Sequence, residues 1–196
     1  MIKTNIATQY SHHLINYQLS KDSIFIADYT EQTKTLAVKR GVEIFVSTPP
    51  TDIDFFSVIN KAPIEIGSII FDHTSFVYPD GNTRSQCECF IFPEASGVDS
   101  WILFAELKYS NKPLRNTSNL SKAIKQLFKT RRYYYMNGVI SKSNTCYLIA
   151  SLPMQAEPFA NFSITPTLMQ NLKIKLNVIL RLKNSVEIVD DKTIDV

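Results

Sequence analysis

A glutamate and a lysine interrupt the apolar run Trp101-Ile102-Leu103-Phe104-Ala105-Glu106-Leu107-Lys108-Tyr109 two residues apart. Side chains alternate faces along a strand, so Glu106 and Lys108 share a face with Ile102 and Phe104. Charges placed among core residues need partners, a metal ion or water. Upstream, Cys87-Glu88-Cys89-Phe90-Ile91-Phe92 carries one isolated carboxylate in an otherwise apolar strand. Two carboxylates and an ammonium on neighbouring strands are the groups used in hydrolysis assisted by a divalent cation. Carboxylate oxygens suit Mg²⁺ or Mn²⁺, and a lysine offsets negative charge that develops at a phosphate.

The loop between these strands, if centred on Gly97, sets Glu88 directly across from Glu106. Opposed carboxylates repel, and a divalent cation between them removes the repulsion. The preceding turn, around Asp80-Gly81, brings either Asp72 or His73 near Glu88. Asp72 would be a third metal ligand; His73 would be a ligand or a phosphate contact. Cys87 and Cys89 alternate away from Glu88 and read as small core residues.

Several elements must position these groups. Residues 1–20 open with a short helix. Residues 23–28 and 35–47 read as strands, the second broken at Gly41. Thr51 or Asp52 caps a short helix running to about Asn60. Residues 67–78 form a strand that turns at Tyr78-Pro79-Asp80-Gly81-Asn82, followed by strands at 86–92 and 101–109. A helix spans Asn119 to Met136, with Ser118 as N-cap and Gly138 as the stop. Residues 145–151 form another strand. In the tail, Leu172, Ile174, Leu176, Val178, Leu180 and Leu182 alternate with polar residues, which predicts a long half-buried strand. It turns at Asn184-Ser185 into Val186-Glu187-Ile188-Val189, a C-terminal β-hairpin over 170–190.

A chain of 196 residues, 44% hydrophobic and 20% charged, suits one globular domain with its own core. No apolar run is long enough to cross a bilayer, and the N-terminus lacks the apolar segment of a secretory signal. Three cysteines without framework spacing suit reduced thiols, and the expected compartment is the cytoplasm.

The net charge of +3 is unevenly spread. Residues 107–156 contain no Asp or Glu but hold Lys108, Lys112, Arg115, Lys122, Lys125, Lys129, Arg131, Arg132 and Lys142. That stretch carries +9 and the rest of the chain −6, a pattern that suits a polyanionic ligand. On the helix, Leu120, Ala123, Ile124, Leu127, Phe128, Tyr134 and Tyr135 fall on one side and Lys122, Lys125, Lys129 and Arg132 on the other. Gln126 and Tyr133 border the basic face. Arg131 falls among the apolar positions and either snorkels out or points toward the strands and their ligand. His12-His13 reads as an exposed pair.

The order helix, three-strand meander, helix, strand, with an acid in the second strand and Glu-x-Lys in the third, resembles the PD-(D/E)XK nuclease superfamily over residues 52–152. The resemblance implies an α/β fold: a central mixed β-sheet flanked by helices, a restriction-endonuclease-like core, with extra strands at 20–48 and in the C-terminal hairpin. It implies that Glu88 and Glu106 bind Mg²⁺ or Mn²⁺ and that Lys108 orients or activates the attacking water. Gln126 would match a glutamine that some branches carry on the helix. The local sequence departs from the pattern in having Cys87-Glu88 where Pro-Asp is usual. The implied activity is phosphodiester hydrolysis in nucleic acid, DNA in the first instance, with Lys122, Lys125, Gln126, Lys129, Arg131 and Arg132 along the backbone. Two other readings stand beside it: an inactive nucleic-acid-binding or protein-interaction module of the same fold, and a β-rich interaction domain in which Glu106 and Lys108 are structural. The long terminal strand is a candidate edge for a homodimer.

Overall fold

The computed structural model describes the whole chain, Met1–Val196. In chain order it contains α1 (Ile2–Gln9), β1 (Tyr17–Ser20), β2 (Ile24–Asp28), a single-turn α2 (Thr30–Thr33), β3 (Val42–Val46), β4 (Phe56–Asn60) and β5 (Ile66–Ile70). There follow β6 (Cys89–Pro93), β7 (Ile102–Leu107), α3 (Asn116–Met136), β8 (Cys146–Ser151), α4 (Pro166–Leu176), β9 (Val178–Leu182), β10 (Ser185–Ile188) and β11 (Ile194–Asp195). Two mixed sheets result. One has six strands in the order β1-β5-β6-β7-β8-β9, the other five in the order β11-β10-β4-β2-β3.

Every residue of β6, β7 and β8 is buried, because both faces of the first sheet are covered. Phe90, Phe92, Ile102, Phe104 and Leu148 pack against α1 and α3 through Ile2, Ile6, Leu120, Ala123, Leu127 and Tyr134. Cys89, Ile91, Leu103, Ala105 and Ile149 pack against the second sheet through Ile24, Ile26, Phe56, Val58, Val186 and Ile188. The fold is therefore a helix layer, a sheet and a second sheet, rather than one sheet between helices. The extra terminal strands β2, β3, β10 and β11 build that second sheet around β4.

Between Ile66 and Ser151 the order is that read from the sequence. The antiparallel strands β5, β6 and β7 form a meander, α3 crosses over, and β8 returns parallel to β7. The helix that precedes the meander and covers the sheet is α1.

Four expectations are corrected. Residues 52–60 hold no helix: Phe56, Val58 and Asn60 are buried while Ser57 and Ile59 are less so, a period of two that belongs to a strand. The strand expected at 67–78 stops at Ile70, and Asp72 starts a turn that Ser75 closes through its backbone N–H. Helix α3 begins at Asn116, ahead of Ser118, whose hydroxyl bonds the Arg115 carbonyl at 2.9 Å. It ends as expected, with Gly138 at φ +68° supplying the left-handed residue after the last turn.

The fourth correction is the tail. Thr165 caps α4 through the Leu168 N–H, and Pro166 occupies its first turn. Ile174 and Leu176 are 69% and 38% exposed, so the alternation there does not mark a buried face. Asn177, at φ 52°, ends the helix and only then does β9 begin. Strands β9 and β10 belong to different sheets and are not a hairpin. No helix is long and apolar enough to cross a membrane.

Candidate active site

The ladder between β6 and β7 pairs Cys89 with Ala105, Phe90 with Phe104 and Ile91 with Leu103, the register that points Glu88 at Glu106. It breaks there. Both Glu88, through its N–H at 3.2 Å, and Cys89 face the single residue Ala105, so the strand bulges by one residue. The Cys87 N–H turns to α3 and donates to Thr130 Oγ1 at 2.7 Å. The backbone place that Cys87 leaves is filled by the Glu88 side chain, whose Oε2 accepts the Leu107 N–H at 2.9 Å. The bulge also separates the cysteines: Cys87 lies in the helix-side core and Cys89 between the sheets. The expectation that both share a face is corrected for that reason.

Glu106 lies one residue before the end of β7 and is 1% exposed. Its Oε1 accepts a hydrogen bond from Lys108 Nζ, while its Oε2 is buried with no partner. Burial raises the Glu88 carboxyl well above the ordinary range, and the Glu106 charge adds to the rise. Burial also raises Glu106, against the opposing pull of the Lys108 ammonium. Burial alone favours a neutral Lys108, but Glu106 and Glu88 outweigh it and keep the amine charged.

A third acid, unexpected from the sequence, completes the surroundings. Asp28 ends β2 in the second sheet, and its charge acts on Glu88, Glu106 and Lys108 alike. The Tyr109 hydroxyl holds Asp28 in place: it accepts the Asp28 N–H at 3.1 Å and donates to the Asp54 carbonyl at 2.7 Å. The charges of Glu106, Glu88 and Asp28 thus all act on the one ammonium. Asp28 and Tyr109 also line a cavity of about 400 Å³ with Glu31, Asp52 and Asp54. A separate, larger cleft of about 720 Å³ is lined by Thr30, Phe71 and Gln86 among others, and by none of the charged residues of the cluster. Local sequence carries no sign that β2 ends over the end of β7, so Asp28 reads there only as the close of an apolar strand.

Asp72 is not beside the two glutamates. The residue across from Glu88 is Phe71, whose N–H donates to the Glu88 carbonyl at 2.8 Å. Asp72 Oδ1 accepts from the Thr74 N–H, the Thr74 hydroxyl and the Ser75 hydroxyl, and Oδ2 accepts from Asn16. These bonds hold its pKa down near 2 and leave it the work of closing a turn. His73 lies one residue further on and lines the larger cleft.

Helix α3 runs beside the segment that leads into Glu88. Tyr133 reaches the Ser85 carbonyl at 3.4 Å, Thr130 the Cys87 N–H, and Gln126 Nε2 donates to the Gln86 carbonyl at 2.7 Å. At its start, the Lys122 charge acts on Glu106. Lys122, Lys125 and Arg132 are exposed and Lys129 half-buried. Of the nine basic residues between 107 and 156, only Lys108 has a carboxylate partner. Arg131 is the exception to the basic face. It is 8% exposed on the far side of the helix, where its guanidinium donates to the Leu176 carbonyl at 3.0 Å. The sequence-based contact of Arg131 with a ligand is therefore corrected to a structural tie between α3 and α4.

No family model matches the sequence, and no curated protein or solved structure matches the chain. No three His, Cys, Asp or Glu side chains stand together as a ready-made metal centre. The donor set at Glu88 and Glu106 nonetheless fits a hard divalent cation in kind. It is all carboxylate oxygen, and it holds one buried oxygen without a partner.

Proposed function

We propose that this protein is a metal-dependent nuclease that hydrolyses phosphodiester bonds, with a core of the restriction-endonuclease-like type. The observation that carries the reading is the buried Glu106 carboxylate, with one oxygen on Lys108 and the other unpartnered, beside Glu88 at the end of the central strands. Glu88 and Glu106 would hold Mg²⁺ or Mn²⁺, with the Asp28 charge adding to the attraction. The chemistry such an ion supplies is Lewis acidity toward water and a phosphate oxygen. Lys108 keeps its proton in this setting and presents a positive charge to the phosphate as negative charge builds on it. Glu106 fixes the lysine in that place. The unpaired cations of α3 would hold the rest of the polyanion, DNA in the first instance, giving salt-sensitive affinity that depends little on sequence.

A cleavage assay on plasmid DNA with Mg²⁺ or Mn²⁺ tests this. Lys108→Ala should abolish cleavage while leaving metal affinity nearly intact, because the lysine is not a ligand. Glu106→Gln should weaken both. A structural ion pair predicts instead a change in stability with no activity to lose.

A second reading is favoured by the saturation of the site. The Glu88 carboxylate already takes a backbone N–H, and no three-ligand metal centre is preformed. In that case the chain is an inactive nucleic-acid-binding or protein-interaction module, and a salt-sensitive complex with DNA forms without cleavage.

A further inference from the structure

We propose that the strand this protein takes is unpaired, and that its bases stack on a platform formed by Arg84, Tyr78 and Tyr133 at the far end of α3 from Glu106. The inference rests on the nuclease reading for its direction and on a separate surface for its content.

The track begins at the candidate active site. Lys122 lies close enough for its charge to act on Glu106. Eleven residues on, at 100° per residue, Tyr133 returns to within about 20° of the same face and roughly 16 Å along the axis. Lys129 and Gln126 fall between them on that face, and Lys125 and Arg132 flank it. The segment from Arg84 to Glu88 runs alongside, bonded to Tyr133, Thr130 and Gln126. A strand whose phosphates follow the helix is thus led from Tyr133 to Glu88 without leaving the seam.

At the far end the chemistry changes from charge to flat surfaces. The Arg84 guanidinium lies over the Tyr78 ring at 4.8 Å and over the Tyr133 ring at 5.5 Å. Tyr78 is 47% exposed at the tip of the hairpin closed by the Val77–Thr83 bridge. Arg84 has no carboxylate partner, and its Nε is buried without a hydrogen bond. Beside it opens a cavity of about 260 Å³ lined by Tyr10, His12, Phe76, Val77 and Asn137. Aromatic rings and a guanidinium plane next to a cationic track are the combination that binds single strands, since every base has a face to stack. A duplex keeps its bases inside and uses only the lysines. The one carboxylate in the hairpin, Asp80, is taken up by the Asn82 N–H at 3.0 Å and the Asn82 side-chain amide at 2.9 Å, and the adjoining block between residues 107 and 156 lacks any Asp or Glu.

The test is fluorescence anisotropy with a labelled short deoxyoligonucleotide, single-stranded or annealed to its complement, in chelator so that nothing is cleaved. The single strand should bind at least about tenfold tighter than the duplex. Tyr78→Ala should weaken single-strand binding by roughly 5- to 150-fold, the loss expected for one stacked base, and leave duplex binding unchanged. Arg84→Lys should also weaken the single strand while keeping the salt slope, because it retains the charge and loses the plane. Unaltered circular dichroism and melting of Tyr78→Ala ensure that a loss is read as a lost contact. Equal affinity for both forms, or a single-strand affinity untouched by both variants, overturns the platform. Cleavage of duplex without this preference sinks the platform alone, whereas single-strand preference without any cleavage upholds it and sinks the nuclease reading.

Discussion

Glu88, Glu106 and Lys108 are legible in the sequence because charged residues inside apolar strands are expensive unless something nearby compensates them. The exact use of Glu88 is not legible. Its carboxylate replaces a backbone acceptor only because the strand bulges to reach Thr130, a contact 43 residues away in sequence. His13 shows the same limit. Its neighbours make it look exposed, yet it is 1% exposed between Tyr134 and Ser75. The Ser75 carbonyl only accepts, so Nε2 carries the hydrogen and Nδ1 accepts from the Tyr134 hydroxyl. Burial pushes the His13 pKa down to about 4. The unfolded chain binds that proton near 6.5 and the folded chain only near 4, so between these values the unfolded state holds more protons. Stability contributed by His13 is therefore intact above pH 6.5 and falls as the pH drops toward 4, by at most ~3 kcal/mol. Denaturant unfolding of wild type and His13→Gln across that window checks it. The wild type should lose more stability than the variant as the pH falls, and parallel curves would remove His13 as the cause.

Among the elements, those buried on both faces or strongly amphipathic are the ones read correctly: β6, β7, β8 and the body of α3. The failures are short or half-exposed. Strand β4 has only five residues, and Thr51 and Asp52 ahead of it mimic a helix cap while Asp52 in fact accepts the Tyr29 hydroxyl at 2.6 Å. Helix α4 presents the pattern of a strand because Ile174 and Leu176 stay in solvent. Its true start signal is the Thr165-Pro166 pair. For α3 the prediction is electrostatic. Replacing Lys122, Lys125 and Lys129 by Gln should weaken nucleic-acid binding and flatten its salt dependence, each lost phosphate contact lowering the log–log slope by roughly 0.7–0.9. Arg131→Gln should leave that slope unchanged and lower stability instead, since it breaks the bond to Leu176. A slope indifferent to the three lysines would turn the polyanion to another surface.

In the whole molecule the second sheet is the feature that local patterns hide. Its strands come from residues 24–60 and 185–195, and only the assembled chain brings Asp28 to the end of β7. Tyr109 joins the two sheets at that end through Asp28 and Asp54. The consequence is an acidic cavity at that end, where Asp28 and Tyr109 meet Glu31, Asp52 and Asp54, while the basic helix α3 packs on the other face of the first sheet. An acidic end would draw cations and a basic face polyanions, the charge arrangement that the proposed nuclease needs. The most direct measurement is anomalous diffraction from a crystal soaked in Mn²⁺. A peak is expected between the Glu88 and Glu106 carboxylates, on the free Glu106 Oε2, with Lys108 on Glu106 Oε1 or released from it and outside the coordination sphere. Saturating Mn²⁺ with no peak at these residues would contradict the proposed metal site.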